Sequence, residues 1–529
     1  MRILVGLGSC GIAAGASDVY VALEIALKKC GIVGKPLITG CLGTCYLEPI
    51  VEVVDDRGEK YTYVNVTPET AAEIVEKHIK GGAPIPELMM PDEAFRIIAM
   101  QTRIALRNCG IINPEDIEEY TARGGYKAIK HAVTMLRPEK IIGILKESGL
   151  RGCGGAGFPT WVKWNTAANS QGDVKYMVCN ADEGDPGAFM DRVLMESDPH
   201  SVLEGMLIGG YAIGAAEGII YVRAEYPLAM ARLSIAIKQA REAGILGRNL
   251  YGSEFCFDIR VKEGAGSYVC GEETALIASL EGWRGAPRLK PPYPAERGYR
   301  GRPTVINNVE TLAYVPWIIT NGSASFSVMG TERSRGTKVF ALSGKIKKGG
   351  LVEIPMGLTL REIVYDIGGG VKDGRKLKAV QIGGPFSASI PASLIDTPVT
   401  HEDITAVGAT VGSGGIIVMD DTACMVDMAR FSLAFIEKES CGKCGSCRIL
   451  VKKMSGILDR IVTGKGRDGD IELLEELSAR AKDGSICAFG QTAANPVLTT
   501  LKHFRNEYED HIYKKKCTAN SCRPMHTYE

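Results

Sequence analysis

The sequence predicts a multidomain α/β protein, and three observations lead to that prediction. Short apolar strands alternate with amphipathic helices from the first residues onward. The sequence contains two glycine-rich turns, and 63 glycines in 529 residues suit turn-rich domains that bring the backbone close to a cofactor. The 16 cysteines occur in clusters, which adds metal centres to the α/β framework.

Composition excludes several classes of protein. The chain has 45% hydrophobic residues, 23% charged residues and a formal net charge of zero, so neither nucleic acid nor an anionic membrane is an expected partner. No apolar run is long enough to span a bilayer, and no direct membrane insertion is expected. Residues 1–10 lack the features of an export signal, so we expect a cytoplasmic protein whose clustered cysteines bind metal.

Residues 1–82 are predicted to form a small α/β domain. Its helices cover Ala16–Lys29 and Thr67–Ile79, and Pro68 suits the first turn of the second helix. The predicted strands are Arg2–Leu7, Lys35–Thr39 and Ile50–Val54. The loops of this domain carry Cys10, Cys41 and Cys45.

Residues 83–149 are predicted to be a linker and a helical segment. One helix is expected over Asp92–Leu106, with Asp92 as its cap, and another begins at Asn113. The apolar spacing of Pro138–Gly149 also indicates a short helix.

A glycine-rich loop opens the next predicted domain, residues 150–330. Its glycines are Gly152, Gly154, Gly155 and Gly157, and Lys163 follows them closely. Such a loop lets backbone amides approach a phosphate. The loop matches G-x-G-x-x-G, but a helix and not a strand precedes it, so an ordinary Rossmann unit is not expected. A surface loop without a ligand is the alternative.

Three further segments of this domain carry polar side chains at the ends of predicted elements. An apolar strand ends in a loop with Asn180, Asp182, Glu183 and Asp185, which suits sugar hydroxyls, amides or a metal; a solvated turn is the alternative. A second glycine-rich turn carries Tyr268, Gly271, Glu272 and Glu273, and the two glutamates could simply cap the following helix. Asn307, Asn308 and Thr311 surround the start of a later helix.

The C-terminal third contains the cysteine motifs. Residues 331–420 are predicted to be rich in β-structure and residues 421–513 to form a helical bundle. The bundle carries Cys441, Cys444 and Cys447 in C-x2-C-x2-C spacing, and Cys487 supplies a fourth thiolate. This spacing indicates a [4Fe–4S] cluster, whereas zinc sites more often have two separated C-x2-C pairs.

The tail, residues 514–529, provides a second candidate metal site. Cys517, Cys522 and His526 are three possible ligands, and Cys424 is the fourth. Zinc suits such a mixture of thiolates and an imidazole. A frayed terminus with two free thiols is the alternative.

Taken together, the segments from Leu150 to Tyr513 resemble the NADH-binding flavoprotein subunit of complex I. The same module occurs in soluble NAD-linked hydrogenases, some of them of the bifurcating type, and in NAD-linked formate dehydrogenases, where it is called the beta subunit. The resemblance implies an FMN site formed by the glycine loop, Lys163, Asn180, Asp182, Tyr268, Gly271, Glu272, Asn307, Asn308 and Thr311. It also implies an NAD(H) site formed by Phe158, Glu183, Asp185 and Glu273. Cys153 departs from the family, because many members have arginine there.

The remaining regions resemble other parts of the same family. Residues 1–82 are similar to its thioredoxin-like [2Fe–2S] domain, but only three of the usual four thiolates are present, since Val5 stands in place of one. A cluster with a substitute ligand and a fold that has kept no cluster both remain open. Residues 331–420 resemble a β-grasp domain of the SLBB type, and the tail resembles that of bifurcating hydrogenase subunits.

These resemblances imply an NADH dehydrogenase subunit that transfers a hydride between NAD(H) and FMN and passes electrons through a [4Fe–4S] cluster. The expected partners are an iron–sulfur subunit, a terminal hydrogenase or formate dehydrogenase subunit and a small thioredoxin-like [2Fe–2S] subunit. Electron bifurcation would add ferredoxin. A redox-inert scaffold and the peripheral NADH-input subunit of a complex I are the alternatives.

Overall fold

The computed structural model describes residues 1–264 and 266–522. The predicted α/β character is confirmed, and the described residues contain three sheets. These sheets fall within the predicted ranges 1–82, 150–330 and 331–420; the domain boundaries themselves stay predictions.

The N-terminal sheet has the strand order β2-β1-β3-β4. Strand β1 pairs parallel to β2 and antiparallel to β3, and β4 continues the antiparallel side. Two helices pack on it, and the apolar residues between them form a core of their own. The elements are β1 Arg2–Gly6, α1 Ser9–Ala13, α2 Ala16–Lys29, β2 Leu37–Thr39, β3 Val51–Val54, β4 Lys60–Tyr63 and α3 Pro68–Glu73.

In the helical segment that follows, the first helix ends earlier than predicted. Helix α4 ends at Ala99, whereas the sequence predicts a helix to Leu106. The backbone amides of Ile104, Ala105 and Leu106 instead donate to the buried carboxylate of Glu353 at 2.8, 3.1 and 2.9 Å. This tertiary contact outweighs the local helical pattern. The helices are α4 Asp92–Ala99, α5 Ile117–Ala122, α6 Lys127–Met135 and α7 Pro138–Ser148.

The central sheet is entirely parallel, with the order β7-β6-β5-β8. Strands β5, β6 and β7 follow one another outward, and β8 then returns to the other side of β5. The strand order therefore reverses between β5 and β8, and ligands of open α/β sheets bind at the carboxyl ends of strands beside such a reversal. The elements are α8 Thr160–Asn169, β5 Tyr176–Ala181, α9 Met190–Ser197, α10 Pro199–Ile213, β6 Glu217–Val222, α11 Pro227–Glu242, β7 Asp258–Glu263, α12 Glu273–Leu280, α13 Pro294–Arg297, β8 Thr304–Asn308, α14 Val309–Asn321 and α15 Ser323–Ser327.

The third sheet is mixed and has the order β10-β9-β13-β11-β12. A buried ion pair between Lys338 on its first strand and Glu310 on α14 fixes it to the central domain. The elements are β9 Thr337–Gly344, β10 Gly350–Pro355, β11 Leu377–Ile382, β12 Ser389–Pro391, α16 His401–Ala406 and β13 Gly415–Asp420.

A helical bundle completes the described chain and has its own apolar core. None of the helices among the described residues is long and apolar enough to cross a membrane. The helices are α17 Met425–Glu439, α18 Val451–Val462, α19 Asp470–Gly484, α20 Ala488–Thr492 and α21 Asn495–Tyr513.

Candidate functional site

The candidate site lies at the carboxyl ends of β5 and β8. Asn180 on β5 is in register with Asn308 on β8, so two amides stand side by side where the strand order reverses. The Asn180 side chain donates to the carbonyl of Gly271 at 2.8 Å. The Asn308 side chain caps α14 by accepting from the amide of Thr311 at 3.3 Å. The parallel sheet thus brings three sequence-predicted segments to one edge.

The glycine-rich loop packs directly on this edge. The amide of Cys153 donates to the Thr311 hydroxyl at 2.9 Å. A Cβ on Gly154 would lie 2.9 Å from the Asn308 side chain, so only glycine lets the loop approach so closely. Gly157 has φ +59°, and a Cβ there would lie 2.6 Å from the His401 ring. The loop is therefore a close-fitting wall of the site and not a free surface turn.

Asp182 supplies an unpaired acceptor in this wall. Its Oδ2 atom is buried and makes no hydrogen bond with any residue that the structure describes. Burial raises the pKa of Asp182 to about 7, although the nearby Arg223 charge opposes the shift. A buried polar atom without a partner is costly, so this carboxylate fits a ligand that brings a donor. Backbone amides of a glycine loop beside an unpaired carboxylate suit a flavin with its phosphate.

The other two acids of the same loop are held by protein. Glu183 accepts from the amides of Asp191 and Arg192, both at 3.0 Å, at the start of α9. Asp185 accepts from the Tyr268 hydroxyl at 2.7 Å and from the Ser413 hydroxyl at 2.6 Å. Burial raises the pKa of both carboxyl groups. These side chains shape the pocket, and a ribose would have to compete with existing partners.

Charged residues line the opposite side of the site. Lys163 forms an ion pair with Glu273 and donates to the carbonyl of Ile306 at 3.2 Å. Lys290, which the sequence did not single out, lies 3.2 Å from the Glu272 carboxylate. Glu272 also caps α12, since it accepts from the amides of Thr274 and Ala275. The capping alternative for Glu272 is therefore present in the structure, in addition to any role toward a ligand.

Two more predicted residues occupy opposite environments. The Asn307 side chain accepts from the indole of Trp164 at 2.7 Å and is buried. Phe158 is 46% exposed at the outer side of the glycine loop, which is accessible to a large ligand such as a dinucleotide. Asp191 was missed by sequence reasoning, yet its carboxylate accepts from the Asn308 side chain. The only feature of the sequence that could have indicated Asp191 is that it is an acidic residue a few positions after the loop that follows β5.

The mixed sheet closes over the site, which the sequence did not indicate. Gly412 pairs through its backbone with Gly155 of the glycine loop. Ser413, next to it, holds Asp185. Residues 331–420 therefore contribute directly to the pocket wall.

The cysteine quartet lies beside the same site. Tyr268 connects the two: its amide donates to Glu439, which precedes Cys441, at 2.8 Å. The Tyr268 ring also stacks on Phe386 at 5.0 Å and lies 5.9 Å from Phe489, two residues after Cys487. Burial raises the pKa of the Cys487 thiol to about 11, and the charge of Glu272 adds to that rise. The quartet is thus within electrostatic range of the pocket.

Glycine and serine surround the quartet. A Cβ on Gly490 would lie 3.1 Å from that of Cys447, so glycine is needed for α20 to approach. The Ser440 hydroxyl lies 3.3 Å from the Cys447 sulfur. Among the described residues, the four sulfurs do not converge to the mutual 4.8 Å found for the two other ligand groups of this chain. This wider spacing suits a multi-iron cluster better than a single zinc ion.

The tail cysteines belong to a compact ligand group, in which the histidine is His511 and not the predicted His526. Cys424, Cys517 and Cys522 converge with His511, and all four ligand atoms lie within 4.8 Å of one another. His526 lies outside the described residues. His511 is on α21, 3.5 Å from the Cys424 sulfur, and its other nitrogen lies 2.6 Å from the carbonyl of Glu507. An imidazole oriented by a backbone carbonyl is typical of a zinc ligand.

The three N-terminal cysteines also converge. The Cys45 sulfur lies 3.7 Å from Cys41 and 3.6 Å from Cys10. All three sulfurs are within 4.8 Å of one another.

Comparison with known proteins agrees with this geometry. The family described as "Nuo51 FMN-binding domain" matches residues 145–317, and the "NADH-ubiquinone oxidoreductase-F iron-sulfur binding region" matches residues 427–511. The NADP-reducing hydrogenase subunit HndC of Solidesulfovibrio fructosivorans is 54% identical over 428 residues, which cover 81% of this chain and 87% of the relative. A subunit of the NADH-quinone oxidoreductase of Rhizobium meliloti is 46% identical over 414 residues, covering 78% of this chain and 98% of the relative.

A solved structure extends the similarity to nearly the whole chain. The NAD+-reducing [NiFe]-hydrogenase in the air-oxidized state superimposes with a TM-score of 0.68 and 29% sequence identity, covering 97% of this chain and 85% of the hydrogenase chain. The chain therefore belongs to the family of NADH dehydrogenase flavoprotein subunits that bind FMN and a [4Fe–4S] cluster and occur in NADH-quinone oxidoreductases and NAD(P)-linked hydrogenases.

Proposed function

We propose that this chain is the NADH-input subunit of a soluble, cytoplasmic multisubunit oxidoreductase of the hydrogenase or formate dehydrogenase type. It would exchange a hydride between NAD(H) and FMN and send single electrons through the quartet to a partner iron–sulfur subunit. The observation that carries this proposal is Tyr268, which contacts both the Asp182–Asp185 loop and the segment that leads into the quartet.

FMN, when bound, supplies the hydride and single-electron chemistry. The residues that would hold it are the glycine loop, Lys163, Asn180, Asp182, Tyr268, Gly271, Glu272, Asn307, Asn308 and Thr311. Amides of the glycine loop would bind the phosphate, and Lys163 would exchange its pairing with Glu273 for the phosphate charge. The unpaired Asp182 oxygen would accept a hydrogen bond from the cofactor.

A second set of residues would orient the nicotinamide dinucleotide. Phe158, exposed at the outer side of the glycine loop, would lie against it together with the Glu183–Asp185 loop and Glu273. Because Asp185 is already held by Tyr268 and Ser413, its charge would repel the 2′-phosphate of NADPH less than a free carboxylate would. We therefore expect only a modest preference for NADH.

The quartet Cys441, Cys444, Cys447 and Cys487 would hold the [4Fe–4S] cluster. Arg284 donates to the carbonyl of Cys441 at 2.6 Å and fixes the first ligand segment to the central domain. The tail group of Cys424, His511, Cys517 and Cys522 would hold zinc, which would pin the end of α21 to the start of α17.

The test is an absorbance spectrum of the anaerobically purified chain. We expect flavin bands that bleach when NADH is added. A protein that carries no flavin, or whose flavin does not respond to NADH, would be the redox-inert scaffold. Anaerobic co-purification would then identify the partners, including a small thioredoxin-like [2Fe–2S] subunit, and would distinguish a hydrogenase or formate dehydrogenase from a complex I. Bifurcation stays a prediction, and ferredoxin reduction coupled to NADH would be its readout.

A further inference from the structure

The N-terminal thiols are arranged differently from what a [2Fe–2S] cluster requires. Such a cluster has two irons, each with two protein ligands, and ligands on different irons stand apart by the width of the Fe2S2 core. Here the Cys45 sulfur lies 3.7 Å from Cys41 and 3.6 Å from Cys10, and all three are within 4.8 Å of one another. Three sulfurs that converge on one point do not straddle two irons.

The same distances fit one tetrahedral ion. Zinc–sulfur bonds of about 2.3 Å place two thiolates of a tetrahedron about 3.7 Å apart. The two sulfur–sulfur distances of 3.7 and 3.6 Å agree with that edge length. Cys41 is 1% exposed, and Cys10 and Cys45 are partly buried, so the group is largely shielded from solvent.

A buried carboxylate lies beside the group. Glu48 is 8% exposed, and its Oε2 atom accepts from the amide of Ile50 at 3.1 Å; it is not among the residues whose ligand atoms lie within 4.8 Å of one another. It packs over Gly6 and Gly11, where an added Cβ would lie 3.3 and 3.2 Å from its Oε2 atom. Two glycines thus make room for a carboxylate beside three thiols.

Hydrogen-bond donors toward the sulfurs complete the environment. The amide of Gly43 donates to the Cys41 sulfur at 3.3 Å, and the Arg192 guanidinium donates to the Cys10 sulfur at 3.6 Å. Such donors stabilise thiolates, and the positive charge of Arg192 offsets part of the excess negative charge of three thiolates around a divalent ion.

We propose that Cys10, Cys41 and Cys45 bind a mononuclear zinc ion in place of an iron–sulfur cluster. The site lies at the junction with the central domain, where Ser9 donates to Glu196 through its amide at 2.8 Å. The amide of Arg192, whose side chain contacts Cys10, donates to Glu183 of the pocket loop. The ion would therefore fix the N-terminal domain against the helix that bounds the nucleotide site, without taking part in electron transfer.

The test is metal and acid-labile sulfide analysis of the full-length, anaerobically purified protein, comparing Cys41→Ser with the control Cys30→Ser. Cys30 is a partly buried thiol of the same domain outside the group. We expect Cys41→Ser to lose about one zinc per chain, with iron and sulfide unchanged, and Cys30→Ser to lose none. Loss of about two irons and two sulfides in Cys41→Ser would show a [2Fe–2S] cluster and overturn the proposal. Unchanged zinc, iron and sulfide would show empty thiols and would equally overturn it.

A second measurement covers a variant that does not fold. In the wild-type protein, alkylation followed by mass spectrometry should find Cys10, Cys41 and Cys45 protected until a chelator removes zinc, whereas Cys30 is modified at the same rate throughout. Thiols that are alkylated equally with and without the chelator would contradict the site.

Discussion

Two sets of four ligands lie in the same helical bundle, and they are built in opposite ways. The tail group, with His511 and three cysteines, is buried throughout and converges within 4.8 Å. The quartet of Cys441, Cys444, Cys447 and Cys487 does not converge in this way in the described residues, and three of its members are partly exposed. The spacing of ligands therefore separates a site for one ion from a site with room for a cluster.

The surroundings of the two sets of ligands also differ. The tail group is enclosed by bundle residues, and its histidine is oriented by the backbone of its own helix. Tyr268 and Arg284 of the central domain hold the segment of the quartet that begins at Cys441, Tyr268 through Glu439 and Arg284 through the Cys441 carbonyl. A structural metal ion needs only a buried and complete set of ligands. A redox cluster must lie near its electron donor and keep an exposed side for its electron acceptor.

The largest expected effect comes from removing one quartet ligand. Cys447→Ser should lose about four irons per chain and reduce NADH-driven electron transfer to a protein acceptor to background. Reduction of ferricyanide, which takes electrons from the flavin, should stay within a few-fold of wild type. Cys256→Ser is the matched control. Equal iron content in both variants would show that Cys447 does not bind the cluster.

The tail group should give a stability effect instead. His511→Ala should release about one zinc and lower the melting temperature by about 5 °C or more, because a structural ion contributes folding free energy. Its flavin and iron content should match wild type. Retention of zinc with an unchanged melting temperature would return the role of ligand to His526.

A smaller effect is expected at the unpaired carboxylate. Asp182→Ala should weaken FMN binding about tenfold or more, since the flavin loses a buried hydrogen-bond acceptor. Fluorescence titration of the flavin-free protein measures this affinity. Asp182→Asn keeps one acceptor oxygen, so its affinity for FMN should lie between those of the wild type and Asp182→Ala. Equal affinity in the three proteins would show that the residue does not face the cofactor.

The same residue predicts a dependence of stability on pH. Burial raises the pKa of Asp182 to about 7, so the folded, flavin-free protein holds a proton that the unfolded chain has released. The stability contributed by this group is therefore present below the unfolded value of about 4 and is lost as pH rises through about 7. Asp182→Asn should flatten that decline in melting temperature between pH 5 and 8. An identical decline in both proteins would contradict the raised pKa.

The smallest effect is expected where the two regions touch. Tyr268→Phe removes one of the two hydrogen bonds with which a ribose would compete for Asp185; that bond is worth about 1 kcal/mol, so KM for NADH should fall by a factor of up to about five. The ring stacking on Phe386 stays intact, and iron content should not change. Tyr268→Ala, which removes the ring as well, should in addition slow electron transfer from flavin to cluster.

Sequence reasoning predicted the parts of the site that depend on local spacing. Three members of the quartet follow from their C-x2-C-x2-C spacing, Asn180 from its place at the end of a predicted strand, and Asn308 from its place before a predicted helix. The contact between Ser413 and Asp185 could not be predicted, because it depends on how two separate sheets pack. Likewise, Glu353 ends the α4 region through a contact some 250 residues away in sequence.

The histidine of the tail group could not be predicted from the sequence for the same reason. His526 is close to Cys522 in sequence, and proximity alone favours it. His511 reaches the group because α21 packs against α17 and brings it beside Cys424, 87 residues earlier in the chain. Cys517 is six residues further along the chain, beyond the end of α21, and no local pattern marks His511 as a ligand.

The central claim is that electrons from NADH reach the quartet through the adjoining pocket. Anaerobic addition of NADH to the isolated chain, followed by absorbance and electron paramagnetic resonance, tests it most directly. We predict that the flavin bands bleach and that a reduced [4Fe–4S] signal grows in wild type and in His511→Ala but not in Cys447→Ser. Bleached flavin with a cluster that only a stronger chemical reductant reduces would contradict the claim.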